Sequence, residues 1–260
     1  MNAQSMMINS AFILLFLFIS SCDQFTSKNT RIRTKDGWKE YSVTVDGDSI
    51  QTIYNKNGKK NSEYMFKKGY FHGKAYKYYD NGNIQYELNY VEGYKHGLVK
   101  FNYESGKLYK ETLYEMGKRT GVQKKYYENG NLQAEIFYKD DKVQPGLKEY
   151  KKDGAPYKIF PKLRIKEIDK TVFEDKVILE VYLDPKGSKT RYSIIKTIGG
   201  KEYNISLKNK TKKGKAYIEF PVLPGEMILE KVKIKAVTRT KRGNKFILFK
   251  TYNLAVENKM

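Results

Sequence analysis

Four glutamates recur at one spacing. Glu63, Glu87, Glu111 and Glu135 stand 24 residues apart, and a row of carboxylates can hold a metal ion or divide the acid and base work of glycoside hydrolysis. His72 and His96 share that spacing, in the segments YFHG and YKHG, and imidazole is a common zinc ligand. The single cysteine, Cys22, is a thiol open to acylation. Other chemistry is excluded at once. One cysteine allows no internal disulfide framework and no Cys-based zinc site. No G-x-S-x-G, Walker loop, H-E-x-x-H or nucleotide fingerprint occurs. Gly199-Gly200 reads as a turn, because no helix follows it.

What the glutamates and histidines can do depends on the elements that hold them, and those elements repeat. Turn signals recur at Asn57-Gly58, Asn81-Gly82, Ser105-Gly106, Asn129-Gly130 and Asp153-Gly154, with the glycines 24 apart. A second column runs Gly69, Gly93, Gly117 and Asp141, and a third runs Gly73, Gly97, Gly121 and Pro145. Asn-Gly between two runs rich in Tyr, Phe, Val and Ile is a hairpin signal, and a two-residue type I′ turn requires positive φ at both positions. That turn fixes a register in which Tyr79 faces Ile84, Tyr103 faces Leu108 and Tyr127 faces Leu132. Lys100 then meets Glu111, and Lys124 meets Glu135. Equivalent glutamates fall two strands apart, about 9.6 Å, too far to share one ion. The same separation argues against the histidines sharing one ion, and each reads as a turn residue just before its glycine, so no metal site is expected. Trp38 to Val45 alternates apolar and polar and reads as a strand capping the first hairpin.

This stretch resembles the MORN repeat family, in the variant found in bacterial proteins labelled YwqK-family antitoxins. The resemblance rests on Tyr78-Tyr79-Asp80-Asn81-Gly82, on Tyr126-Tyr127-Glu128-Asn129-Gly130, and on the aromatic-x-x-Gly segments Tyr90 to Gly93 and Tyr114 to Gly117. It covers residues 48 to 158, with degenerate copies at either end as expected of caps. It implies an elongated antiparallel sheet of hairpins. It also implies a binding or scaffold role without a shared catalytic set.

Near the N-terminus Ala11 to Ile19 reads AFILLFLFI, nine apolar residues where a spanning helix needs about 20. The run has the length of a secretory h-region, and Ile19-Ser20-Ser21-Cys22 resembles the lipobox of bacterial lipoproteins. That likeness implies a signal peptide over 1–21 and a diacylglyceryl group on Cys22, although no Lys or Arg precedes the run. Residues 22–36 then read as a polar tether, followed by a repeat domain over 37–160.

The period ends after Gly154, and Pro156 and Pro161 mark a boundary. Seven alternating runs follow between Leu163 and Val256, the pattern of an antiparallel β-sandwich over 161–260 that resembles immunoglobulin-like modules. The whole chain therefore reads as all-β. Its net charge is +21, and residues 162–260 hold 24 basic and 11 acidic side chains. Alternating strand directions gather Lys186, Lys189, Lys210, Lys212, Lys213, Arg239, Lys241 and Arg242 at one end. Asp169, Glu174, Asp175 and Glu226 collect at the other.

These readings converge on a non-enzymatic, lipid-anchored protein of the bacterial cell envelope, on its periplasmic or outer face. Candidate binding residues are Tyr78, Tyr79, Tyr103, Tyr126 and Tyr127 on the repeats together with the basic cluster. The expected partner is a protein, a glycan or an anionic surface, reached beside a membrane held through Cys22, and export argues against nucleic acid. No cofactor is expected. The family label offers an antitoxin or immunity role as the alternative, and an envelope glycan hydrolase acting through the glutamate row is a third.

Overall fold

A computed structural model describes residues 29–44, 46–207 and 214–259. The apolar run, Cys22, Lys210, Lys212 and Lys213 lie outside the described residues. The chain falls into two compact units, 1–119 and 120–260.

The first unit is a meander of antiparallel strands. They are β1 (Thr30–Thr34), β2 (Gly37–Val43), β3 (Ser49–Asn55), β4 (Lys60–Lys67), β5 (Tyr70–Tyr78), β6 (Ile84–Val91), β7 (Tyr94–Lys95), β8 (Gly97–Asn102) and β9 (Leu108–Glu115). They pair in the order β1-β2-β3-β4-β5-β6-β8-β9, and β7 pairs with β6. The glycine columns set the reversals. Gly58, Gly82 and Gly106 have φ of 78°, 88° and 84°, and Gly69, Gly93 and Gly117 have 80°, 82° and 82°. A side chain rarely adopts that region, so the columns are a backbone requirement. Residues 30–34, read from sequence as tether, form a strand instead. It covers β2, so β2 is not the edge, and Arg31 lies 3.7 Å from Glu40 and over the Trp38 ring.

The register expected in the body of each hairpin is present: Tyr76 faces Glu87 and Lys100 faces Glu111. Next to the turn it shifts, so that Tyr78 faces Ile84 and Asn102 faces Leu108. The two-residue turn was the error. Tyr79 N–H donates to Asn83 O at 2.8 Å and Gly82 N–H to Tyr79 O at 2.9 Å, while Gly82 alone of Asp80-Asn81-Gly82 has positive φ. This is a three-residue loop, a type I turn closed by a glycine bulge. Asn81 is chosen for its side chain, whose Oδ1 accepts the N–H of Asn83 at 3.0 Å.

In the second unit β10 (Lys118–Tyr126), within which the division falls, pairs with β11 (Leu132–Lys139). Lys124 faces Glu135 as expected, and Tyr126, not Tyr127, faces Leu132 through the same bulge. β12 (Lys142–Val143) and β13 (Lys148–Glu149) both pair with β11. Beyond them lie β14 (Lys162–Asp169), the one-turn helix α1 (Thr171–Glu174), β15 (Lys176–Asp184), β16 (Ser188–Ile198), β17 (Lys201–Leu207), β18 (Ala216–Pro221), β19 (Met227–Arg239) and β20 (Lys245–Glu257). They form two sheets, β14-β15-β18 and β17-β16-β19-β20. Their alternate residues meet in one core. Leu163, Val177, Leu179, Val181 and Ile218 come from the first sheet, and Tyr192, Val232, Ile234, Leu254 and Val256 from the second. This is the antiparallel two-sheet sandwich the alternation called for. A smaller cluster of Ala134, Ile136 and Leu147 packs with Phe160 and Phe246 and seats the β10–β11 hairpin against the start of β20.

Candidate functional site

The Tyr-x-Asn-Gly-Asn motif, present at residues 79–83 and 127–131, ties each of those turns to the turn that follows. Tyr79 O–H donates to Asn102 O at 2.7 Å, and Asn81 and Asn83 both donate to Glu104 O at 2.8 Å. One period earlier Lys59 Nζ reaches Asp80 O at 2.6 Å. In the second unit Tyr127 O–H donates to Tyr150 O at 2.8 Å, and Asn129 and Asn131 donate to Lys152 O at 3.0 Å. Tyr79 and Tyr127, selected from sequence as binding residues, thus spend their hydroxyls on the ladder. Tyr78 is half-buried beneath Lys60 Nζ, 5.6 Å from its ring centre, and burial raises its phenol. Tyr103 packs edge-on against Tyr109, and Tyr126 is half-buried.

The most open ring of the repeats lies at the opposite edge, where sequence reasoning did not look. Tyr70 is 64 % exposed and rests on Gly93; Tyr94 repeats the arrangement on Gly117. Each follows a glycine of the second column, a signal that was available. Leu98 and Leu113, both exposed, face one another across β8 and β9.

Three of the four glutamates are engaged by amines or a phenol. Glu87 is shared by Lys74 and Lys100 at 3.4 Å each, and Glu63 is 2.7 Å from Lys60. Glu135 accepts from Tyr150 O–H at 2.7 Å with Lys148 at 3.4 Å. Alternation of acid with amine or phenol along the sheet stabilises the register. His96 exchanges backbone and amide hydrogen bonds with Asn89, and its Nδ1 is buried without a partner. Among the described residues no three His, Cys, Asp or Glu side chains come together as a metal site. Lys110 is distinctive. It lies 5.4 Å from the centre of Phe101, which stacks on Tyr86, and burial first and Arg119 second lower its pKa.

The second unit holds a polar cluster that nothing in the sequence marked. The Glu149 side chain is fully buried. Its Oε1 accepts from Thr240 Oγ1 at 2.7 Å and from Asn244 Nδ2 at 2.6 Å. Its Oε2 makes no hydrogen bond and lies 3.6 Å from Arg242 Nη1. Arg242 lies over the Tyr157 ring at 4.6 Å and donates from Nε to Tyr127 Oη at 3.1 Å, and Lys125 Nζ donates to Asn244 Oδ1 at 2.7 Å. The tip of the β19–β20 hairpin is thereby fastened to the β10–β11 hairpin, and Arg242 is engaged inside this unit.

The remaining basic candidates sit at that end of the sandwich. Lys186, Lys189, Arg239 and Lys241 are exposed, and Arg239 donates to Gly243 O at 2.7 Å. A Cβ on Gly187 would fall 2.4 Å from Thr238 Oγ1, so the chain closes on β19 there only as glycine. At the other end the acids are consumed internally. Asp169 accepts from Thr171 N–H and Oγ1, Glu174 pairs with Lys170 and Lys176, Asp175 accepts from Asn258, and Glu226 accepts Leu223 N–H. The two lysines push Glu174 down to about 2. Phe173, 92 % exposed, projects among them.

No curated protein matches the chain. The family described as the MORN repeat variant matches residues 71–92, 95–116 and 119–140, three consecutive copies in the phase of the glycine columns, which makes this part of the chain a MORN-type repeat array.

Proposed function

We propose that the protein is a non-enzymatic binding or scaffold protein of the bacterial cell envelope, exported and anchored through a lipid on Cys22. The observation that carries the binding role is the repeat array. Its turns are fastened one to the next by side-chain hydrogen bonds, while Tyr70, Tyr94, Leu98 and Leu113 remain open. Rigid strands presenting aromatic rings beside lysines suit a protein or glycan partner, because a tyrosine offers apolar area with a polar tip. Exposed Lys186, Lys189, Arg239 and Lys241 add attraction toward an anionic surface, diffuse rather than bidentate. The anchor reading is supported by the short apolar run followed by Ser20-Ser21-Cys22; two acyl chains hold a protein at a bilayer where one does not. The test is detergent-phase partition of the expressed chain with radiolabelled fatty acid. Wild type enters the detergent phase labelled, and Cys22→Ser does neither. Unchanged partition and labelling in Cys22→Ser rejects the anchor.

A further inference from the structure

The sheet β17-β16-β19-β20 ends at β17. Among the described residues, no backbone hydrogen bond reaches β17 from outside its hairpin. The opposite edge is braced, since Tyr252 O–H of β20 donates to Glu167 of β14 at 2.7 Å. β17 carries few of the usual protections of an edge among the described residues. It has no proline, and its seven pairs with β16 run from Tyr192↔Leu207 to Ile198↔Lys201 without a bulge. Its charges, Lys201 and Glu202, sit at one end.

The side chains continue the core. Tyr192, Ile194 and Leu207 pack into the sandwich, so Tyr203 and Ile205 lie on the same side of the sheet. Yet Tyr203 is 49 % and Ile205 45 % exposed, and neighbouring Ile198 is 63 % exposed. A core-facing surface therefore runs past its cover at the strand whose outer edge no described backbone group reaches.

We propose that two copies of the chain pair through β17, antiparallel and centred on Asn204, joining their four-stranded sheets. The sequence KEYNISL is self-complementary in that register. Tyr203 of each copy meets Ile205 of the other, two aromatic–β-branched pairs, which are favourable across strands. Asn204 meets Asn204, Glu202 meets Ser206 and Lys201 meets Leu207. No like charges stand opposite. The exposed inner-side residues of both copies then cover one another. One strand pair is a small interface, so the dimer is weak, with a Kd on the order of 10 μM. Each copy carries +21, and screening that repulsion strengthens pairing as salt rises. Contact between the acidic end of one copy and the basic end of another would weaken instead.

The test uses the full chain carrying Cys22→Ser, so that an added thiol is the sole one. Asn204→Cys brings the two thiols within disulfide reach across the two-fold axis, while Glu202→Cys leaves its pair about 14 Å apart. The expected result is a covalent dimer from Asn204→Cys at least tenfold faster than from Glu202→Cys. Ile205→Lys in the Asn204→Cys chain slows it at least tenfold, with the circular dichroism spectrum retained. Sedimentation without added cysteines gives association that tightens with salt. Equal rates at positions 204 and 202 overturn the proposal. So does a chain that stays monomeric at about 100 μM, or association that loosens with salt, which assigns the contact to the opposite poles. If Ile205→Lys fails to fold, the comparison of 204 with 202 decides alone.

Discussion

Replacing Glu149 with alanine probes how the β10–β11 hairpin is held to the sandwich. The substitution strips the acceptor from Thr240 Oγ1 and Asn244 Nδ2 in a fully buried site, and a buried donor left unpaired costs about 1–3 kcal/mol. It also removes the carboxylate beside Arg242, and breaking one side of a buried pair costs about 3–5 kcal/mol. The two effects share the same groups and do not add. Arg242 keeps Tyr127, Tyr157 and some water. We expect about 3–5 kcal/mol in all. Glu149→Gln retains an oxygen for Thr240 and Asn244 but turns an amide toward Arg242, and should cost about 1–2 kcal/mol. Urea unfolding of the Cys22→Ser chain, followed by far-ultraviolet circular dichroism, reads both. At an m-value of about 2 kcal/mol/M the alanine variant shifts the midpoint by roughly 2 M. Fluorescence of Trp38, the single tryptophan, follows the first unit and provides a separate transition for comparison. A shift below about 0.5 M for alanine, or a glutamine variant as damaged as the alanine one, would refute the reasoning.

Tyr79→Phe deletes the hydroxyl bonded to Asn102 O and should lower the stability read by Trp38 by about 0.5–1.5 kcal/mol. Gly37→Ala should cost about 3 kcal/mol or more, because its Cβ would fall 2.0 Å from Tyr54 O at φ 142°; displacement of the Tyr54 ring stacked on Trp38 at 5.2 Å should also move the tryptophan emission. Glu174, held at about 2 by Lys170 and Lys176 against an ordinary 4.5, favours the folded state fully above the ordinary value, and that contribution fades as the pH falls toward about 2. Carboxyl NMR titration should find its midpoint raised in Lys176→Met, and an unmoved midpoint rejects the pairing.

The period, the hairpins and most of their register were legible because they rest on local chemistry: glycine for positive φ, and alternation for the two faces of a strand. Lys100↔Glu111 and Lys124↔Glu135 followed from counting. The turn was misjudged by one residue because Asn-Gly fits two loop lengths. The Asn that recurs after it, Asn83 and Asn131, was the distinguishing signal, since its amide fastens the next turn. β1 was missed because TRIRT looks like tether until Arg31 is set beside Glu40 and Trp38. Glu149 was invisible for another reason. It occupies the degenerate end of the repeats, and its partners Thr240 and Asn244 lie 91 and 95 residues away. No local pattern encodes a pairing of that range.

The fastening of turn to turn has a direction. In each case the donor belongs to the earlier hairpin and the acceptor carbonyl to the following one, at Asp80, Glu104 and Lys152. A duplicated 24-residue block inserted in phase would therefore arrive with its own donors and offer its own carbonyl to the block before it. Growth by whole copies leaves every bond in place, whereas an insertion of any other length strands a donor on one side and a carbonyl on the other. The side-chain bonds between turns thus constrain the spacing of such an array as strictly as the strands do, while placing no constraint on its number of copies.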